Sequence, residues 1–161
     1  MNRLFALAGT LAISAMLTGC PSGTQQQQAA QAAQNVSAVV VAAEQAEILA
    51  YNQGNQCVAA AVTDAQKAVC IVIPQADHAF IQKQFISIGT VGKTLDTCIR
   101  MTTGGNAGIV ACANTASATV TGLNDQGALY LKSDKAKTIF GGIMSAVNLG
   151  IQTIATVLGG A

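Results

Sequence analysis

Apolar residues recur at helical spacing along much of the chain. The clearest series alternates intervals of four and three residues, and it consists of Ile81, Phe85, Ile88, Gly92, Leu95 and Ile99. A shorter series with the same intervals consists of Val58, Val62, Ala65 and Val69. Such intervals place side chains on one face of an α-helix. The pattern therefore predicts two helices, with Asp77 as the N-cap of the longer one and a helix restart at Thr63, which forms a capping-box pattern with Gln66.

The remaining segments favour helix less strongly. Residues 35–51 are rich in alanine, which favours helix, but they include three consecutive valines, which favour strand. Residues 107–121 are small and rich in threonine, and they fit either a helix or a strand. The predicted fold is mainly α, a small helical bundle stapled by disulfides, with a long apolar C-terminal helix. The alternative is an α+β fold with short strands near residues 57–73 and 107–121.

The last predicted helix spans about residues 134–158 and is uncharged from Thr138 onward. One face of it is lined by Phe140, Ile143, Met144, Val147, Ile151, Ile154 and Leu158. We assign this apolar row as a surface for contact with a partner protein or a second copy. A helix in the core of the domain is the related interpretation, and a membrane-spanning helix is the rival one, because the run is about 20 residues long. Asn148 and Gln152 argue against the rival, since unpaired amides are costly in hydrocarbon.

The N-terminal part of the chain divides into a leader and a connecting segment. Residues 21–35 consist mainly of Gln and Ala and contain no large apolar residue that could pack. We therefore expect residues 20–35 to be a tether, either disordered or continuous with the next helix. Residues 36–161 then form a single helical domain.

Leu17-Thr18-Gly19-Cys20 closes an uncharged run that begins at Leu4, just after Arg3. The run has the length of a signal-peptide core and is too short to span a bilayer. These residues resemble the signal of bacterial lipoproteins, the lipobox, and the resemblance does not extend beyond residue 20. It implies that residues 1–19 are removed and that Cys20 becomes an N-terminus carrying several acyl chains such as palmitate.

The resemblance also implies a location. The chain would lie in the bacterial cell envelope, attached to a membrane by the lipid on Cys20. Pro21 is not the aspartate that retains lipoproteins at the inner membrane, which favours the periplasmic face of the outer membrane over the inner membrane.

Four further cysteines, Cys57, Cys70, Cys98 and Cys112, suggest two disulfides in an exported chain. If Gly104-Gly105 turns an antiparallel pair, Cys98 and Cys112 lie equally far from the turn and can meet. Cys57 then pairs with Cys70, which requires a helix break near Thr63. The alternatives are Cys57 with Cys98 and Cys70 with Cys112, or four free thiols.

Composition argues against several function classes. The net charge is +1, and only 9% of residues are charged, against about 25% in ordinary domains. Nucleic-acid binding requires a concentrated basic surface, so we expect none.

Residues that could carry chemistry are few. Ser87 to Thr94 resembles a P-loop, but Ser87 stands where the motif has glycine, no βαβ pattern surrounds it, and an exported lipoprotein meets no nucleotide pool. His78 is the single histidine and is predicted to lie at an exposed helix start, while the carboxylates are scattered. We expect no catalytic residue, no metal site and no cofactor.

The sequence thus predicts a lipid-anchored envelope protein that acts structurally or by interaction through an apolar helical surface, and not an enzyme. Its partners would be the membrane, through Cys20, and an envelope protein or a second copy of itself. Two alternatives remain open. One is a membrane-active protein whose C-terminal helix inserts into a bilayer. The other is a module that binds a small ligand or inhibits an enzyme, using a pocket between helices of small residues.

Overall fold

We describe the protein from a computed structural model, which covers residues 24–159, with side chains through residue 156. The predicted signal peptide and Cys20 lie outside the described residues. The described residues form five helices, which are α1 (Gln25–Ala60), α2 (Asp64–Ala68), α3 (Gln75–Met101), α4 (Gly105–Tyr130) and α5 (Asp134–Gly159). No strand occurs within residues 24–159. The prediction of a mainly α fold is confirmed. The alternative α+β fold, with short strands near 57–73 and 107–121, is wrong.

The four long helices form an antiparallel bundle with up-down-up-down order. Helix α1 packs against α3 and α5, and α4 packs against the same two helices from the opposite side. The apolar row predicted for α3 is buried along its whole length, from Ile81 to Ile99. This row meets alanines and valines of α1, and together with α4 and α5 it forms one continuous core.

Residues 25–35 are continuous with the next helix, as one of the two alternatives predicted, and form the first three turns of α1. The expectation that they are a tether without packing contacts is wrong. Thr24 caps the helix by accepting a hydrogen bond from the Gln27 amide. Ala29, Ala30 and Ala33 are buried in the core. Their methyl groups are small enough to let α1 approach its neighbours closely, so the segment packs without any large apolar residue.

A break after Ala60 allows the first disulfide to form. Thr63 and Gln66 make the predicted capping box, with the Gln66 amide 3.3 Å from the Thr63 hydroxyl. The chain therefore reverses around α2, and Cys57 bonds to Cys70. Cys98 of α3 bonds to Cys112 of α4 across the turn at residues 102–104. These are the two pairs that the sequence analysis favoured.

Helix α5 is the predicted long apolar C-terminal helix, but its apolar row is not a free surface. Five members of the row, Phe140, Met144, Val147, Ile151 and Ile154, are at most 2% exposed within the core. Ile143 is partly buried, and the side chain of Leu158 lies outside the described part. The assignment of this row as a contact surface is therefore wrong for those five residues. Periodicity showed that the face is apolar but not that α1 and α4 cover it.

The polar side of α5 faces outward. Gln152 is exposed, and Asn148 accepts a hydrogen bond from the Ser117 hydroxyl of α4 at 2.6 Å. By length and composition alone, residues Asp134–Thr156 are the one segment in the described part of the chain that could cross a membrane, and 33% of its most apolar window is buried. Insertion into a bilayer would require this helix to leave the core.

Candidate ligand groove

A groove of about 800 Å³ runs along the outer seam between α3 and α4. It extends from Met101 and Thr102 at the α3–α4 turn to Ser87 and Leu123. Fourteen residue steps separate Ser87 from Met101, so the groove is about 20 Å long at a rise of ~1.5 Å per residue. The volume lies within the range of small-molecule sites, roughly 300–1,000 Å³.

The groove exists because α4 presents mainly small side chains to the seam, with Leu123 at the far end as the exception. Its larger apolar residues, Ile109 and Val120, point into the core. The residues left to face α3 include Ala111, Thr115 and Ala116. Two helices cannot close a seam of such small residues completely, so a void remains along it. The Cys98–Cys112 bond holds the two helices together at one end, with a Cα–Cα distance of 5.8 Å.

The surface of the groove is apolar although five threonines and a serine contribute to it. None of the lining residues is charged. The hydroxyls of Thr90, Thr115 and Thr119 each donate to a carbonyl of their own helix four residues earlier, at 3.0 Å. A hydroxyl engaged in this way no longer needs water or a ligand as its acceptor. The groove therefore suits an apolar ligand.

The near P-loop contributes its side chains to this groove. Residues 87–94 lie inside α3 as continuous helix, so their backbone N–H groups are used within the helix and cannot cradle a phosphate. Gly92 is buried against Ser37 of α1. Ser87, Thr90 and Thr94 line the groove instead.

An ion pair lies in the last turn of α3, next to Met101. The Nε of Arg100 donates to Asp96 at 2.9 Å. This hydrogen bond, and then the negative charge of Asp96, raise the pKa of Arg100 above its ordinary value. The two charges offset each other, so the pair adds no net charge beside this end of the groove.

A separate polar cluster joins α1 to α3 near the opposite end of the bundle. Glu47 is completely buried, and its carboxylate oxygens lie 3.0 and 3.1 Å from Nδ1 of His78. Gln82 donates to the same carboxylate at 2.7 Å, and the ring of Tyr51 stacks on the imidazole at 3.9 Å. The side chain of His78 is only 21% exposed, so the prediction of an exposed histidine is wrong. The sequence did not reveal the contact between Glu47 and His78, because 31 residues separate them along the chain.

Asp77 is also buried, and it does not cap its own helix. Helix α3 begins after Pro74, which places Asp77 in the first turn. Its two carboxylate oxygens accept hydrogen bonds from the backbone amides of Lys132 and Ser133, at 3.0 and 2.7 Å. Asp77 thus holds the connection into α5, which corrects its predicted role as an N-cap.

The buried carboxylates thus hold helices together. Within residues 24–159, no three His, Cys, Asp or Glu side chains form a group that could hold a metal ion. The groove between α3 and α4 is the better candidate site, because it is concave, open and not filled by the protein's own described side chains. The chain matched no protein-family model, no curated protein and no solved structure.

Proposed function

We propose that this protein is a lipid-anchored protein of the bacterial cell envelope that acts by binding, not by catalysis. Its ligand is an aliphatic chain of a lipid, and its site is the groove between α3 and α4. The observation that carries the proposal is the chemistry of that groove. It is about 800 Å³ in volume, no charged residue lines it, and the hydroxyls of Thr90, Thr115 and Thr119 are bonded to their own helix.

An aliphatic chain fits this groove better than a helix of a partner protein does. A helix about 20 Å long and ~10 Å in diameter would fill about twice the groove's volume. Protein interfaces also form about one hydrogen bond per 100–200 Å² and have a polar rim. The hydroxyls of Thr90, Thr115 and Thr119 already donate within their own helices, so they offer a protein partner little. A methylene chain requires no hydrogen bonds, and small side chains let it lie close to the backbone.

Two features support an envelope location. The lipobox-like residues that end at Cys20 support export and lipid attachment. The bonds between Cys57 and Cys70 and between Cys98 and Cys112 add weaker support, because disulfides persist mainly in oxidising compartments.

Filling the groove should weaken binding of an aliphatic probe. Ala111 lines the groove and is exposed at its rim. In the unlipidated mature chain, Ala111→Phe should weaken binding of the fluorescent fatty acid cis-parinaric acid by at least about tenfold, because the ring occupies the space of the chain. Tenfold corresponds to about 1.4 kcal/mol. Fluorescence titration measures the effect, and circular dichroism checks that the variant is folded.

Ala128→Phe is the matched control for this variant. Ala128 is exposed on the same helix and does not line the groove. We expect this variant to bind the probe within about twofold of the unmodified chain. Absence of saturable binding by the unmodified chain, or equal binding by the Ala111→Phe variant, would contradict the proposal.

Membrane attachment should depend on Cys20 alone. If residues 1–20 are replaced by a conventionally cleaved secretory signal, the mature chain should leave the membrane fraction and be recovered as soluble protein. The physical reason is that the apolar face of α5 is already buried in the bundle. Cell fractionation with an alkaline wash measures the distribution, with the native chain as the control. Retention of the unlipidated chain in the washed membranes would favour the rival hypothesis, in which α5 inserts.

A further inference from the structure

We infer that the groove holds an acyl chain attached to Cys20 of the same molecule. This inference rests on the proposed function, because it requires both lipidation of Cys20 and a groove that accepts an aliphatic chain. It adds the source of the ligand. The acyl chain in the groove is one of those that anchor the protein, and it is not part of a separate lipid molecule.

The start of α1 is held at one end of the groove. The side-chain amide of Gln26 donates to the carbonyls of Ile99, Arg100 and Thr102, at 2.7, 3.1 and 3.2 Å. Thr102 and its neighbour Met101 line the groove where α3 turns into α4. The described part of the chain therefore begins beside this end of the groove.

The connection to Cys20 is short enough to deliver a lipid there. Four residue steps separate Cys20 from Thr24. A fully extended chain spans at most ~3.6 Å per residue, so four steps give a reach of at most about 14 Å from Thr24. From the α3–α4 turn the groove continues for about 20 Å toward Ser87 and Leu123. An acyl chain that enters at Met101 can thus lie along α3 and α4.

The charges at the Met101 end of the groove also favour an acyl chain attached to Cys20 over a free lipid. A free fatty acid or phospholipid brings an anionic group, which is best accommodated beside an unpaired cation. At this end of the groove the guanidinium of Arg100 is already paired with Asp96. An acyl chain on Cys20 brings no such charge. Because a lipidated cysteine carries several chains, one can occupy the groove while the others remain in the bilayer.

Photo-crosslinking of the native lipidated protein tests the inference. Cells that express the full chain are grown with a palmitate analogue that carries a diazirine near its methyl end, and they are then irradiated. The purified protein is reduced and digested with trypsin, which cuts after Lys83, Lys93, Arg100 and Lys132. We expect mass spectrometry to find the lipidated Cys20 peptide joined to one of the three groove peptides, which are 84–93, 94–100 and 101–132. The crosslink should be lost in the Ala111→Phe variant and retained in the Ala128→Phe variant.

The other outcomes separate this inference from the proposed function. If the groove peptides carry an acyl group from phospholipid and none from Cys20, the inference is overturned while the proposed function stands. If acyl groups crosslink only outside the groove peptides, both are overturned. Unmodified Cys20 in the purified protein overturns the inference and also the lipid anchor of the proposed function, while binding of an aliphatic chain in the groove is tested separately by the fluorescence titration.

Discussion

Replacing Gly127 with alanine should lower the free energy of unfolding by about 2–3 kcal/mol, the upper part of the range for overpacked cores. Gly127 lies in α4, where a Cβ atom would overlap Cδ1 and Cε1 of Phe140. The Phe140 ring is 1% exposed, so it cannot move aside without displacing other core residues. The expected loss outweighs the gain of about 0.5–1 kcal/mol that alanine normally brings in a helix. Urea unfolding followed by circular dichroism measures the change.

Gly122→Ala is the control in the same helix. A Cβ atom at Gly122 would meet nothing within 4 Å, so this substitution should stabilise the protein by about 0.5–1 kcal/mol. The two alanine variants should therefore differ by about 3 kcal/mol with opposite signs. Equal stabilities would show that α4 and α5 do not pack with Gly127 against Phe140.

Replacing Glu47 with alanine should destabilise the protein by about 3 kcal/mol or more, as expected when one partner of a buried pair is removed. The Glu47 carboxylate is completely buried, and it accepts hydrogen bonds from the Gln82 amide and, in the corresponding tautomer, from Nδ1 of His78. The substitution leaves both partners without their acceptor and opens a cavity between α1 and α3. The same unfolding experiment measures the loss.

Glu44 provides the comparison for Glu47. It lies one turn earlier in α1 and is partly exposed, and Glu44→Ala should change stability by no more than about 0.5 kcal/mol. If the two alanine variants unfold at the same urea concentration, the Glu47–His78 cluster does not contribute to holding α1 against α3.

Regular patterns in the sequence were enough to predict much of the fold. The row from Ile81 to Ile99 keeps helical intervals without interruption, and a helix with such a row must bury it. The pairing of Cys98 with Cys112 followed from a turn at Gly104-Gly105, because antiparallel neighbours place equidistant residues opposite each other.

Other parts could not be predicted because they depend on contacts between distant residues. Ala29 and Ala33 carry too little hydrophobic signal to reveal a buried face, and they are buried because the neighbouring helices come close. The partners of Glu47 and Asp77 lie 31 to 56 residues away along the chain. Helical periodicity identified the apolar face of α5, but whether that face meets its own chain or a partner depends on the whole bundle.

The groove could not be predicted from the sequence. Most of its residues are alanines, threonines and other small residues, which are common throughout the chain. Their significance comes from the antiparallel register that aligns the seam of α3 with that of α4. One local feature could have been predicted. Threonines in a helix often donate to the carbonyl four residues earlier, so their hydroxyl donors are already used.

The most direct test of the central claim is an NMR measurement of contacts between an aliphatic chain and the groove. The unlipidated mature chain is mixed with ¹³C-labelled palmitic acid, and nuclear Overhauser effects are recorded between palmitate methylenes and threonine methyl groups. We predict contacts with the methyls of Thr90, Thr115 and Thr119, which line the groove. We predict none with Thr121 and Thr138, which are exposed outside it. Contacts of equal strength at all five threonines, or at none of them, would contradict the assignment of the groove as a lipid-chain site.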